Sequence, residues 1–395
     1  MKKKMLGFVM LLCIAASPMA VMAQEIDIGA MAWDSGGIEE VHKGSDILSS
    51  FQIKIDGEWY QFPMKYEEFI EKGWQLDGLD SQSEMTPGNY GSVNVKKNTI
   101  CASVTIMNFG MNTKPLSECY VAGIDLNETY LKDQMSFELP GGIVYDVSTM
   151  SQVEETYGAP SALYKTKEYG KLTYDLAGFY NRVEIFVDAA EKKVKRVAMI
   201  CLTAPEDFEE DEINSEIPQV VAQYQTPQEL GEDIASGTVR IDGSLYRIPA
   251  PVSAFLENGW KIVYDGNSEV IAGQDSGDGY YLMKNQQKLR ICVKNYDDNA
   301  TTVENCFVTE IYNQNFSTEI LIELPREITF GMSSAQLEEI LTGTEYEKEE
   351  GNTFLWYVIP CGEDSEDEVK ICVNKKSDTV VKISIRREPQ LEQLS

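Results

Sequence analysis

Along much of this chain apolar and polar residues alternate over short runs that end in Gly, Pro, Asn or Asp. A period of two is the pattern of half-buried strands. "TICASVTIMN" is followed by "CYVAGIDL" from Cys119, and "KLRICVKNY" by "CFVTEIY" from Cys306. Each couple reads as an antiparallel pair. Three further runs follow each pair, "KLTYDL", "RVEIFVD" and "VKRVAMI", then "TFLWYVI", "EVKICVN" and "VVKISIR". Both triplets predict a β-meander.

The helical period appears only briefly. "MKYEEFIEKG" and "APVSAFLENG" place Phe69 and Ile70, or Phe255 and Leu256, on one face. Gly73 and Gly259 stand where a left-handed C-terminal cap is needed. In "STMSQVEETYGAP" and "SSAQLEEILTG", Thr149 and Ser333 lie three residues before Gln152 and Gln336, which is capping-box spacing. Val153 and Tyr157 form the apolar face of the first helix, and Leu337, Ile340 and Leu341 that of the second.

These elements come in the same order twice. "IDGEWYQFP" from Ile55 returns as "IDGSLYRIP" from Ile241, and nine of 24 positions between Phe51–Trp74 and Gly237–Trp260 are identical. Asn108 and Asn295, "CYV" and "CFV", Leu139-Pro140 and Leu324-Pro325, and "VEIFVD" and "VKICVN" continue the match. The spacing implies a duplication. It predicts an α+β fold of two tandem homologous domains, each an antiparallel sheet with short helices and a back half of helix plus β-meander. Asp-Gly is a tight-turn dipeptide, so each copy opens with a hairpin carrying Tyr60 or Tyr246. Trp74 and Trp260 are expected to fill the cores, the alternative being carbohydrate stacking. The expected boundaries are repeat domains at 50–203 and 237–388, with a tail at 389–395. Seven of the 11 residues from Glu206 to Glu216 are acidic. Residues 204–236 therefore read as a solvated acidic linker.

The back half of each copy carries the "GMS"-type helix start at Gly331-Met332-Ser333, a Tyr-Gly-x-Pro-type ending and a meander. Over about 60 residues per copy it resembles the fold shared by the β-lactamase inhibitor protein and the small lipoprotein of the outer-membrane assembly machine. The whole unit, with its "IDG…Y…P…F…GW" front, also resembles a tandem repeat of uncharacterised exported Gram-positive proteins. The first resemblance implies recognition of other proteins through the sheet; the second implies no activity.

Composition then narrows the function. Lys2, Lys3 and Lys4, the apolar "MLGFVMLLCIAA" and the small residues of "VMA" predict a signal peptide over 1–23, cleaved near Ala23, and a flexible leader over 24–49. The product is expected outside the cell, with no transmembrane segment left. Cleavage removes three lysines and takes the net charge from −30 to −33. That charge repels phosphate backbones, so no nucleic acid is expected as partner. Seven cysteines remain, without a CxxC pair, and the single histidine, His42, lies in the leader. No metal, cofactor or catalytic residue is therefore assigned. Matching strand ends suggest a disulfide between Cys361 and Cys372, and next between Cys292 and Cys306.

The expected function is that of an exported, non-enzymatic interaction protein recognising a protein or cell-surface component. The alternative is a structural or envelope-associated spacer, and the minor alternative a carboxylate-dependent hydrolase. Alternation turns Val183, Ile185 and Val187, and Val369, Ile371 and Val373, towards the helix. Leu355 and Tyr357 point the same way; Lys370 and Cys372 point outward. Phe186 and Trp356 also face outward, either beneath the front half of each unit or as anchors for a partner.

Overall fold

The Asp-Gly pairs of the two repeated phrases make the turn their residue types favour. In the computed structural model, which describes residues 45–98, 100–127, 136–314, 320–362 and 366–391, Asp56 and Gly57 have φ of 48° and 85°, and Asp242 and Gly243 have 47° and 84°. Two positive φ values define the hairpin turn whose twist matches the strands it joins. The hairpins Gln52–Ile55 with Glu58–Gln61, and Thr238–Ile241 with Ser244–Arg247, follow directly. Each belongs to a four-stranded sheet, completed by Phe137–Leu139 and Ile143–Val144, or by Ile322–Leu324 and Ile328–Thr329.

The larger sheets have nine strands each. Across the first run Ala162–Lys165, Tyr169–Asp175, Arg182–Asp188, Val194–Ile200, Tyr120–Asn127, Ile100–Met107, Tyr90–Lys97 and Gln75–Leu76, with Met64–Lys65 beside Tyr120–Asn127. The second runs Glu347–Glu350, Phe354–Pro360, Glu368–Asn374, Thr379–Arg386, Phe307–Gln314, Gln287–Lys294, Ser276–Lys284 and Lys261–Val263, with Ala250–Pro251 beside Phe307–Gln314. The described chain is thus mostly antiparallel β-sheet with few helices. No described helix is long and apolar enough to cross a membrane.

The helices sit where their caps direct. Met150–Tyr157 and Ser334–Ile340 begin on complete capping boxes, Thr149 with Gln152 and Ser333 with Gln336. Gly73 and Gly259 follow the shorter helices Tyr66–Glu71 and Val252–Glu257 at φ of 90° and 86°. The inward positions close two apolar cores. One draws on residues from Leu48 to Cys201, the other on residues from Ile234 to Ile385. Trp74 and Trp260 are buried in them, which excludes the carbohydrate-stacking alternative at both positions. Each large apolar side chain so buried contributes roughly 1.5–3 kcal/mol.

The boundaries need two corrections. Ser45–Leu48 is a helical turn, and Leu48 is buried in the first core, so the last residues of the expected leader are folded. The signal segment and His42 lie outside the described residues. More consequentially, residues 204–236 are not a solvated linker but a strap laid across both halves. Phe208 packs edge-on against Phe109 and Tyr120, at 6.1 and 6.0 Å between ring centres. Asn214 N donates to Ala300 O (2.9 Å), and Thr301 Oγ1 to Asn214 O (2.9 Å). Val221 packs with Tyr296 and Phe307, and Ile234 enters the second core. The acid count hid these few anchoring residues.

Two equivalent loops also meet directly. The buried Asn108 donates to Met85 O and Asn112 O and accepts from Gly110 N; Asn295 does the same with Ala272 O, Asn299 O and Asp297 N. Thr113 N then donates to Asp298 O (2.7 Å), Gly273 N to Met111 O (2.8 Å) and Ala300 N to Asn112 Oδ1 (2.7 Å). A Cβ on residue 273 would lie 2.0 Å from Asp298 O, so only glycine permits this approach.

Candidate binding faces

Cross-strand register turns the alternation of the meanders into rows of side chains. In the first sheet Lys171 lies opposite Phe186, and Phe186 opposite Arg196. Val183, Ile185 and Val187 are buried on the helix side, while Glu184 and Phe186 stand half-buried on the other face. The Arg196 guanidinium lies 4.4 Å from the Phe186 ring centre and forks onto Asp125 at 2.8 and 2.5 Å. Lys171 lies 5.9 Å from the same ring and pairs with Glu184 at 2.7 Å. Tyr169 and Tyr164 continue the aromatic row to the sheet edge, with successive ring centres 5.6 and 6.3 Å apart.

The second sheet repeats the theme with other residues. Trp356 is opposite Cys372, and Cys372 opposite Lys382. The Lys382 ammonium lies 5.4 Å from the Trp356 ring and 4.5 Å from Phe354. Trp356 is half-buried. Cys372 points outward as alternation requires, yet it is fully buried, on the rung between Trp356 and Lys382. Val369, Ile371, Val373 and Tyr357 are buried, and Leu355 packs half-buried against the second core.

Among the described residues, the front half of each unit joins the sheet that carries Phe186 or Trp356. Its strands continue the meander sheet edgewise, through Val194–Ile200 with Tyr120–Asn127 and Thr379–Arg386 with Phe307–Gln314. The strap covers part of each outer face, through Phe208 on Tyr120 and Val221 on Phe307, and Phe186 and Trp356 are half-buried on the remainder. Each outer face bears a shallow groove at the same place, beside a β-bulge at Thr105/Ile106 or Cys292/Val293. Bulges commonly re-aim side chains at such places. The first groove, about 170 Å³, is lined by Ser103, Thr105, Asp125, Arg182 and Glu184 among others. The second, about 440 Å³, has Asp278, Cys292, Thr309, Glu310, Arg386 and Glu388. Burial, with Glu310 alongside, pushes the Cys292 thiol up to about 11. It stays protonated at neutral pH and is a poor nucleophile.

A second aromatic feature escaped the sequence reading. Phe179 is 72 % exposed and Tyr180 53 %, at the loop tip between Tyr169–Asp175 and Arg182–Asp188. Asn181 holds that loop, donating to Ala177 O (2.7 Å) and Thr203 Oγ1 (2.8 Å) and accepting from Leu202 N (2.7 Å). Arg182 lies 5.5 Å from the Tyr180 ring. Gly178 beside two aromatic residues outside any alternating run was the available signal.

The proposed disulfides do not fit the register. Pro360 pairs with Glu368, which sets Cys361 beside Asp367, whereas Cys372 lies opposite Trp356. Cys292 is opposite Glu310, while Cys306 precedes Phe307, the partner of Lys294. A bridge needs Cα atoms within about 7 Å, and neither pair shares a rung. All seven described cysteines are free thiols. Unfolding in denaturant without reductant should let all seven be alkylated; a linked Cys361–Cys372 peptide in the mass spectrum would contradict the register.

No protein-family model matches the chain, and no curated protein sequence matches it.

Proposed function

We propose that this chain is an exported, non-enzymatic interaction protein built from two homologous units, recognising a protein or cell-surface component through the outer faces of its two large sheets. The observation that carries this reading is the edgewise continuation of each meander. It sets Phe186 and Trp356 in the outer faces, half-buried beside cations. Large aromatic side chains next to arginine or lysine are the groups that most often dominate an interface. The acidic chain, with −30 net charge, favours a partner with a basic or neutral contact surface.

Phe186→Ala and Trp356→Ala test it. Each ring is already partly in water, so each variant should lose less than about 2 kcal/mol of stability. Each should weaken binding of a partner captured by the wild-type chain by at least about 2 kcal/mol. Large melting-point losses in both variants, or undiminished capture by both, would overturn the reading.

A further inference from the structure

The two large sheets end on edge strands of opposite character. Ala162–Lys165 closes one and Glu347–Glu350 the other; both are exposed throughout, and no described strand pairs with their outer edges. An open edge is a row of unpaired N–H and C=O groups, and folded proteins normally guard it with charge. The second edge is so guarded. Lys348 is tied to Glu338 and Glu350 to Lys375, while Glu347 and Glu349 stand on the outer side of the rung, opposite Val358 and Trp356. Residues 345–350 hold four glutamates and one lysine, −3 in all.

The first edge is guarded only at its end, by Lys165. Leu163 and Tyr164 are exposed on it. Residues 161–168 hold Lys165 and Lys167 against Glu168, +1 in all. In a chain of −30 this is a local basic edge with apolar side chains on show.

We propose that the Ala162–Lys165 edge of one copy pairs with the Glu347–Glu350 edge of a second copy, joining their nine-stranded sheets edge to edge. The backbone groups of each edge satisfy the other, and lysines meet glutamates. The same charges select the arrangement. Acidic edge on acidic edge is repelled, and so is basic on basic. Only the unlike pairing is attractive, so the contact is heterologous. Every copy carries both edges, and association therefore continues head to tail instead of stopping at a dimer.

Sedimentation velocity on the mature chain tests this. At low ionic strength the mean size should rise past a dimer as concentration approaches about 0.1 mM, in the range of a weak association, and should fall at about 0.5 M salt as screening shortens. The double variant Lys165→Glu/Lys167→Glu has two acidic edges, and Glu347→Lys/Glu349→Lys has two basic ones. Each should self-associate at least about tenfold more weakly than wild type. All four positions are exposed, so circular dichroism should be unchanged. An equimolar mixture of the two variants restores unlike edges and should assemble again. A wild-type chain monomeric at about 0.1 mM in low salt would overturn the proposal. So would growth that stops at a dimer, variants that assemble like wild type, or a mixture that stays monomeric.

Discussion

Trp74→Ala should destabilise the first core by about 3–5 kcal/mol, the range for removing a fully buried large aromatic side chain. Trp74 has no exposed surface. Its ring stacks on Phe69 at 5.4 Å and 14°, and its Nε1 donates to Tyr60 Oη at 3.1 Å. Truncation opens a cavity between the hairpin and the helix Tyr66–Glu71 and also removes a donor from a buried hydroxyl. Both losses act in the same direction. Trp74→Phe retains much of the ring volume and should cost roughly 1–3 kcal/mol, so the difference between the variants reads the cavity. Trp59 provides the control. One residue before Tyr60 on the same strand, it is 48 % exposed. Trp59→Ala should stay within about 1 kcal/mol of wild type. Urea unfolding measures all three. Equal losses at positions 59 and 74 would remove the core assignment.

This contrast also shows what the sequence could disclose. Local period and local turn chemistry placed Tyr60, Trp74, Val183, Ile185 and Val187 on the inner side. They also placed both capping boxes and the Asp-Gly turns of the two repeated phrases. Each of those rests on residues a few positions apart, where spacing alone determines direction. Register between distant strands is a different matter. Nothing in the alternation of Val194–Ile200 says that it pairs with Tyr120–Asn127, more than sixty residues earlier. Whether Phe186 is covered or open depends on that pairing. The disulfide expectation failed for the same reason. Matching strand ends would put Cys361 and Cys372 level, but the rung Trp356–Cys372 sets Cys372 away from the strand end beyond which Cys361 lies. The strap was illegible because composition averages over residues that do different work. Glu209 and Glu210 are exposed, as a solvated linker would have them, while Phe208 and Asp211 beside them are partly buried contacts.

Asp211 is where the strap should be most sensitive. Its Oδ2 accepts from the N–H groups of Met111 (2.9 Å) and Asn112 (3.0 Å), and its Oδ1 meets the Lys114 ammonium at 2.5 Å. The carboxylate side chain is only 10 % exposed. Asp211→Ala leaves two N–H groups and a partly buried ammonium without their acceptor and should cost about 2–4 kcal/mol. Asp211→Asn keeps one acceptor oxygen but no charge and should cost roughly half of that, since bonds to an ionised group are about twice as strong as neutral ones. Glu209→Gln and Glu210→Gln, on exposed neighbours, should stay within about 0.5 kcal/mol. The pH dependence follows from the same contacts. Burial pushes the Asp211 carboxyl up, but the Lys114 ammonium and the Asn112 and Met111 N–H groups outweigh it, so it titrates below the ordinary aspartate value. A carboxyl depressed in the folded state contributes fully above its unfolded pKa of about 3.9. That contribution is lost as pH falls from there through the folded value. The stability gap between wild type and Asp211→Asn should therefore be constant from about pH 7 to pH 5 and close below about pH 4. Because every other carboxylate titrates alike in both proteins, the gap isolates this one. A gap that does not narrow in acid, or an Asp211→Ala loss no larger than that of Glu209→Gln, would mean that the strap is not held by this residue.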